Sequence, residues 1–252
     1  MPVEAVLICG GRFHDMDYAR LELLKHLAEH EDVRTRVGED YANVEAIAAA
    51  DFLVTYTCDV RPTEEQQKVL RAFVEGGGRW LALHGTNAIL EWDGTPPFQT
   101  PRSHPLYMET LGSQFLGHPP IAPYTVTPCS DDELVAGIEP FEAEDELYLC
   151  EYHGDLEPLL ETRFTGNAPG FAEEEWPDDE PRQVMYRKRV GEGAVVYLTL
   201  GHCRGHYDMR PLMDYYPQVE RGAWELPVFH ELVRRGLQWA MAPSQAGQGE
   251  SA

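Results

Sequence analysis

An α/β fold built on a mostly parallel sheet is predicted by three features of the first third of the chain. Short apolar runs alternate with helical segments. Each run ends in glycine or in a polar loop. A capping box, Thr63-Glu64-Glu65-Gln66, marks the start of one of the helices. The first run, Val3 to Cys9, ends in Gly10-Gly11 and is read as a strand. Asp17 is expected to cap a helix reaching about His30, with Leu21, Leu24 and Leu27 at helical spacing. Val33 to Val37 alternates as a second strand, Asn43 to Ala50 forms a short helix, and Asp51 to Thr57 a third strand. The capped helix runs to Glu75, burying Val69, Leu70 and Phe73, and Gly76 to Gly78 end it. Arg79 to Leu83 is the fourth strand. This order implies right-handed crossovers.

The second half is less regular. Glu91 to Pro105 is rich in Pro, Gly and Thr and is expected to be loop. Leu106 to Leu111 is read as a short helix, Phe115 to Pro120 (FLGHPP) as a loop, and Tyr124 to Thr127 as a short strand. Glu144 to Tyr152 is an acidic turn entering a strand, and Leu159 to Phe164 is another strand. The acidic segment Thr165 to Pro181 is expected to be a long exposed loop. Gln183 to Val190 and Ala194 to Leu200 flank Gly191-Glu192-Gly193 as an added β-hairpin. Leu226 to Met241 closes the fold as a helix. The organisation is therefore one α/β domain over residues 1–241 and a tail, 242–252, of disordered composition.

Composition narrows the function. The chain has 252 residues, with 20 Lys and Arg against 43 Asp and Glu, a formal charge of −23. Such a surface repels phosphate backbones and anionic membranes, so neither nucleic acid nor membrane is an expected partner. No apolar run reaches the ~18 residues of a membrane span. The start, MPVEAVLICGG, reads as a strand and not as a secretory leader, and the five cysteines carry no C-x-x-C pair. A cytoplasmic location is expected.

The chemistry-bearing residues are histidines beside glycine: His84-Gly85, Gly117-His118-Pro119, His153-Gly154 and Gly201-His202. In open α/β sheets, ligands bind at the carboxyl ends of strands, where His84 and His202 fall. A sharp strand-to-helix turn such as Leu83-His84-Gly85 carries a nucleophile in some folds. Histidine there points to acid/base work, metal ligation or polar recognition. Asp145-Glu146 supplies a carboxylate, while Tyr148, by alternation, is read as core. His14 lies in the exit loop of the first strand and reaches the same rim. Cys9 and Cys58 end strands near His84 but read as small buried hydrophobes. His202 and His206 are four apart, though Gly205 argues against a helix there. Among the tryptophans, Trp92 and Trp176 lie in predicted loops, where a ring can stack on sugar; Trp80 and Trp239 read as packing.

Leu83-His84-Gly85, Phe115-Leu116-Gly117-His118-Pro119, Asp145-Glu146-Leu147-Tyr148 and Leu200-Gly201-His202 occur in the order found in the ThuA-like (trehalose utilisation) family, which the chain resembles over about Val3 to Ala240. The resemblance implies a flavodoxin-like, class I glutamine-amidotransferase-like, doubly wound fold without the amidotransferase nucleophile. It implies a role in bacterial carbohydrate catabolism, alongside NAD-dependent dehydrogenases that make 3-keto sugars. His84 falls about where the amidotransferase cysteine would sit.

The resulting expectation is a protein acting on trehalose, a related disaccharide or its 3-keto derivative by acid/base chemistry. His84, Glu146, His202 and His118 are the catalytic candidates. Gly85, Thr86, Trp92 and Asp145 are the substrate-binding candidates. One alternative is a metal-dependent hydrolase holding zinc or another divalent ion on His84, His118 and His202. Another is a non-catalytic sugar-binding partner of a sugar dehydrogenase. The fold class commonly dimerises. No dinucleotide fingerprint follows Gly10-Gly11.

Overall fold

The computed structural model describes residues 2–242; the predicted tail lies outside the described residues apart from Ala242. The order of elements is β1 (Val3–Gly11), α1 (Met16–Leu27), β2 (Val33–Gly38), α2 (Val44–Ala48), β3 (Phe52–Cys58), α3 (Glu64–Glu75) and β4 (Arg79–Leu83). There follow α4 (Pro105–Leu111), β5 (Ser113–Gly117), β6 (Ala122–Pro128), β7 (Phe141–Asp145), β8 (Leu149–Tyr152) and β9 (Glu157–Arg163). The chain continues with β10 (Gly166–Asn167), β11 (Glu175–Trp176), β12 (Pro181–Val190), β13 (Gly193–Leu198) and α5 (Pro227–Met241).

A nine-stranded mixed sheet, in the order β2-β1-β3-β4-β13-β12-β9-β6-β7, forms the centre. The strands from β2 to β13 pair in parallel. From β13 onward the pairing is antiparallel, and β12 turns into β13 through Gly191-Glu192. One face is covered by α1 and α5, which bury Leu23, Leu27, Phe229, Leu232, Val233 and Leu237. The other is covered by α2, α3 and α4, through Ile47, Leu70, Phe73, Tyr107 and Leu111. All seven residues of β3 are buried, as expected for a strand between two helical layers. Each large apolar side chain so covered contributes about 1.5–3 kcal/mol. Trp80 packs as expected, its indole N–H donating to Thr55 Oγ1 at 2.9 Å.

The expected capping box is formed, with Thr63 and Gln66 each capping the other's backbone. Three expectations need correction. The segment 165–181 is not an exposed loop throughout, since β10 and β11 pair antiparallel within it and Ala168 is buried. Asp15, not Asp17, caps α1, accepting from Tyr18 N at 3.1 Å; Asp17 sits in the first turn and pairs with Arg20. The FLGHPP segment is not loop throughout, since Ser113 to Gly117 form β5, which pairs antiparallel with β8. The proline pair ends that strand instead of preventing it. This two-stranded ladder lies over the carboxyl ends of the parallel strands. There Phe115, Tyr148 and Cys150 pack against Phe13, Cys58, Ala88 and Leu90.

Candidate active site

Three histidines leave the carboxyl ends of three parallel strands, and a carboxylate meets them from the antiparallel half. His14 follows β1, His84 follows β4 and His202 follows β13, while Glu146 lies between β7 and β8. His84 opens a 3₁₀ turn, His84–Asn87, with φ +46°. A non-glycine residue in that region stores strain of roughly 1–3 kcal/mol, which surrounding contacts must hold. Here Tyr197 Oη donates to the His84 carbonyl, and Thr86 Oγ1 donates to Leu83 O at 2.7 Å. A side chain at Gly85 would meet Thr57 O at 2.7 Å and Cys58 Cβ at 2.9 Å, so the elbow packs directly on β3.

The hydrogen bonds fix the tautomers. His84 Nδ1 lies 2.8 Å from Thr199 O, and His14 Nδ1 lies 3.3 Å from Arg12 O. A carbonyl only accepts, so both Nδ1 atoms carry the proton, and in the neutral rings both Nε2 atoms present lone pairs. Those two Nε2 atoms face each other at 2.9 Å. Tyr148 Oη, 3.2 Å from His84 Nε2, donates to it. Glu146 Oε2 lies 3.4 Å from His14 Nε2 and 3.5 Å from His84 Nε2. Its other oxygen, Oε1, accepts from Arg204 at 3.0 Å and lies 3.1 Å from His202 Nδ1 and 3.6 Å from His118 Nε2. His202 Nε2 donates to Glu220 Oε2 at 2.8 Å, while its buried Nδ1 lacks an aligned hydrogen-bond partner.

Burial and charge set the protonation. Burial pulls His14 down to about 3, outweighing Glu146, so this ring is neutral at neutral pH. Burial also opposes ionisation of Glu146, but His202 and His118 hold its carboxyl well below the usual range. Burial disfavours the charged form of His202, yet Glu146 and Glu220 more than offset this and push it up to about 9. The result is a buried carboxylate with a charged imidazole and a guanidinium on one oxygen and the neutral His14 ring on the other. Burial keeps the Tyr148 phenol protonated, as a donor.

Asp145 organises the backbone beneath this cluster. Its buried carboxylate accepts from Glu146 N at 2.9 Å, Gly201 N at 3.1 Å, His202 N at 3.1 Å and Ala223 N at 2.8 Å. Gly222 crosses so close that a side chain there would meet Asp145 Oδ2 at 2.6 Å and His202 O at 2.5 Å. Asp145 therefore ties the loops carrying Glu146 and His202 to the segment before α5.

A cavity of about 90 Å³ opens onto this polar floor. His14, Glu146, His118, Tyr148 and Arg204 line its polar side. Phe13, Phe98, Phe115, Phe171, Met209 and Leu212 line its apolar side. Leu90 also borders a more polar outer cleft of about 600 Å³, which holds Arg12, Arg61, Glu91 and Trp92. Trp92 stacks on Phe98, with ring centroids 6.2 Å apart.

A family model described as trehalose utilisation (ThuA) matches residues 5–216. The chain belongs to the ThuA family. No curated protein matches it. It is similar in fold to a ThuA-like protein from Bacteroides uniformis (TM-score 0.67, 15% identity, 98% of this chain and 94% of that one covered). A ThuA-like protein from Parabacteroides merdae gives a TM-score of 0.59 at 17% identity, covering 96% of this chain and 91% of that one. A β-galactosidase from Rahnella sp. R3 gives 0.56 at 12% identity, with 96% of this chain but 31% of that chain covered. At such identities the likeness is one of fold alone.

Within this ThuA protein, the predicted site residues divide into three positions. Glu146 and His118 line the cavity, and His118 remains 23% exposed. His84 and His202 are buried behind them, in contact with His14 and Glu146. Gly85, Thr86 and Asp145 are buried and engaged with backbone, while Trp92 borders the outer cleft. Trp176 packs under Arg182 instead. His118 does not belong to the group whose ligand atoms converge; His14 and Glu146 join His84 and His202 there. His206 contacts Tyr216 O, and His153 lies beside Glu151. Cys9 and Cys58 are buried, and burial pushes both thiols up, Cys9 to about 12.

Three contributors escaped the sequence reading. Tyr148, expected in the core, turns its hydroxyl onto His84. Arg204 carried no motif signal. Phe171, from the acidic segment read as exposed loop, closes the cavity 5.0 Å from the His118 ring. A bulky apolar side chain in an acidic segment that also holds Trp176 was the available signal for it.

Proposed function

We propose that this ThuA protein transforms a carbohydrate of the trehalose type, a related disaccharide or its 3-keto derivative, by proton transfer at the His14–Glu146 floor. The supporting observation is a buried, ionised carboxylate beside a neutral imidazole whose Nε2 lone pair lies at the base of an aromatic-walled cavity. In the 3-keto derivative, His14 accepts a proton from the carbon next to the carbonyl. Glu146, 3.4 Å away, stabilises the imidazolium formed. Arg204, whose guanidinium lines the cavity, supplies positive charge to the developing oxyanion, while Tyr148 keeps its O–H on His84. His84 acts from behind as a positioning residue. Transfer of that proton to the departing glycosidic oxygen as its C–O bond breaks completes an elimination, and its return to carbon an isomerisation; neither needs an oxidant.

The cavity volume limits how substrate sits. At about 90 Å³ it is well below the roughly 300–1,000 Å³ of a complete ligand pocket. It encloses the reacting ring in part, and a second ring extends over Leu90 into the outer cleft beside Trp92. The aromatic wall suits the apolar face of a sugar, and the acidic surface suits a neutral one.

The test is incubation with trehalose, related disaccharides and their 3-keto forms, followed by NMR of the products. Turnover that falls about 10²-fold or more in Glu146→Gln is expected. Failure to transform any of these sugars would refute the proposal.

A further inference from the structure

We propose that His14, His84, His202 and Glu146 form a binding site for one divalent transition-metal ion. Each of these residues offers one ligand atom, and the four atoms lie within 4.8 Å of one another. A tetrahedral ion with bonds of about 2.0–2.1 Å has ligand–ligand edges of about 3.3–3.4 Å. The separations are 2.9 Å (His14 Nε2 to His84 Nε2), 3.4 Å (His14 Nε2 to Glu146 Oε2) and 3.5 Å (His84 Nε2 to Glu146 Oε2), while His202 Nδ1 lies 3.1 Å from the other oxygen of Glu146. The first three scatter about that edge length, and His202 stays within the 4.8 Å that encloses all four ligand atoms.

The second argument is unmet hydrogen-bonding capacity. The His14 and His84 lone pairs face each other at 2.9 Å with one donor, the Tyr148 O–H on His84, so the His14 lone pair has none and a cation there would relieve the repulsion. His202 Nδ1, buried and without an aligned partner, points at the same carboxylate. Each ring also has its remote nitrogen fixed as a donor: His14 on Arg12 O, His84 on Thr199 O and His202 on Glu220. Metal-binding histidines are oriented in this way, by a carbonyl or carboxylate on the far nitrogen. Glu146 divides its labour. Arg204 occupies Oε1, which leaves Oε2 turned to His14 and His84.

Three imidazoles and one carboxylate select zinc, cobalt, iron(II) or manganese over calcium and magnesium, which prefer all-oxygen sets. His14 and Glu146 line the cavity, so the ion would sit at its floor, within reach of a sugar carbonyl or hydroxyl. Its Lewis-acid role rests on the carbohydrate reading above; its binding does not. With the ion bound, His14 and Glu146 would be committed as ligands, so the loaded protein would keep the substrate class proposed above and not the His14 base.

Protein without a histidine tag is stripped with a chelator and titrated calorimetrically with Zn(II), Co(II) and Mn(II) in the absence of sugar. One ion per chain is expected, with a Co(II) absorption spectrum of nitrogen–oxygen ligation. The isosteric Glu146→Gln variant and His14→Gln should each weaken binding at least about 100-fold, whereas His118→Ala should change it less than threefold. Thermal melts confirm that each variant is folded, and either ligand variant alone suffices for the comparison. No binding below millimolar metal overturns the inference, as does binding that both ligand variants leave unchanged. Sugar turnover without metal binding would refute this inference and leave the carbohydrate reading standing. Metal binding without turnover of any sugar would do the reverse.

Discussion

Replacing Asp145 by Asn should destabilise the protein and loosen the site, although the side chain keeps its shape. The carboxylate accepts from the backbone N–H groups of Glu146, Gly201, His202 and Ala223, with no side-chain donor among these bonds. An amide offers one oxygen and one NH₂. In its better orientation the oxygen keeps the Gly201, His202 and Ala223 bonds, and the NH₂ then faces the N–H of Glu146. One buried donor left unpaired costs about 1–3 kcal/mol, and the remaining bonds lose their charge assistance. No longer burying an ion returns part of that. The net loss is about 2–4 kcal/mol, or about 4–16 °C in melting temperature for a chain of this size. Thermal denaturation followed by circular dichroism measures it. A melting temperature within about 1 °C of wild type would refute the view that Asp145 clamps the Glu146 and His202 loops.

Other outcomes follow from the same geometry. Gly85→Ala should destabilise by about 1–3 kcal/mol, because its Cβ would lie 2.7 Å from Thr57 O, and chemical denaturation should show it. In the metal-free protein, His202 contributes stability because its folded pKa, near 9, exceeds the unfolded value of about 6.5. That contribution is complete below about pH 6.5 and is lost as pH rises towards 9, and His202→Gln should flatten stability over this window. Phe171→Ala should raise KM for a sugar substrate about 3- to 30-fold with a smaller change in kcat, since the ring walls the cavity without touching the proton-transfer groups; an unchanged KM would remove it from the site.

The parallel half of the fold was legible because its signals are local. Leu70 and Phe73 lie on one face of α3, Thr63 and Gln66 close its start, and Gly76 to Gly78 end it, all within sixteen residues. Strand β3 is apolar because helices cover both faces of the sheet. The antiparallel half was harder. Strand β5 ends in Gly-His-Pro-Pro, and those residues masked a strand whose partner, β8, lies more than thirty residues away. Asp17 was the expected cap, and only the geometry of the turn chooses Asp15.

The sequence by itself determined the kinds of groups that meet at the rim: histidines after apolar strands, a carboxylate after β7 and no hydroxyl or thiol nucleophile at the elbow. It also determined family membership, through short motifs in a fixed order. Tertiary structure decided which of these groups touch. His14 joined the cluster because β1 and β4 lie on either side of β3. His118 stayed at the wall because β5 carries it above the floor. Tyr148 faces His84, and Phe171 came from an acidic loop folded back over the cavity. The physical reason is range. Helices, strands and caps are encoded by neighbours a few residues apart, whereas a site drawn from β1, β4, β7 and β13 depends on strand order, which no local pattern specifies.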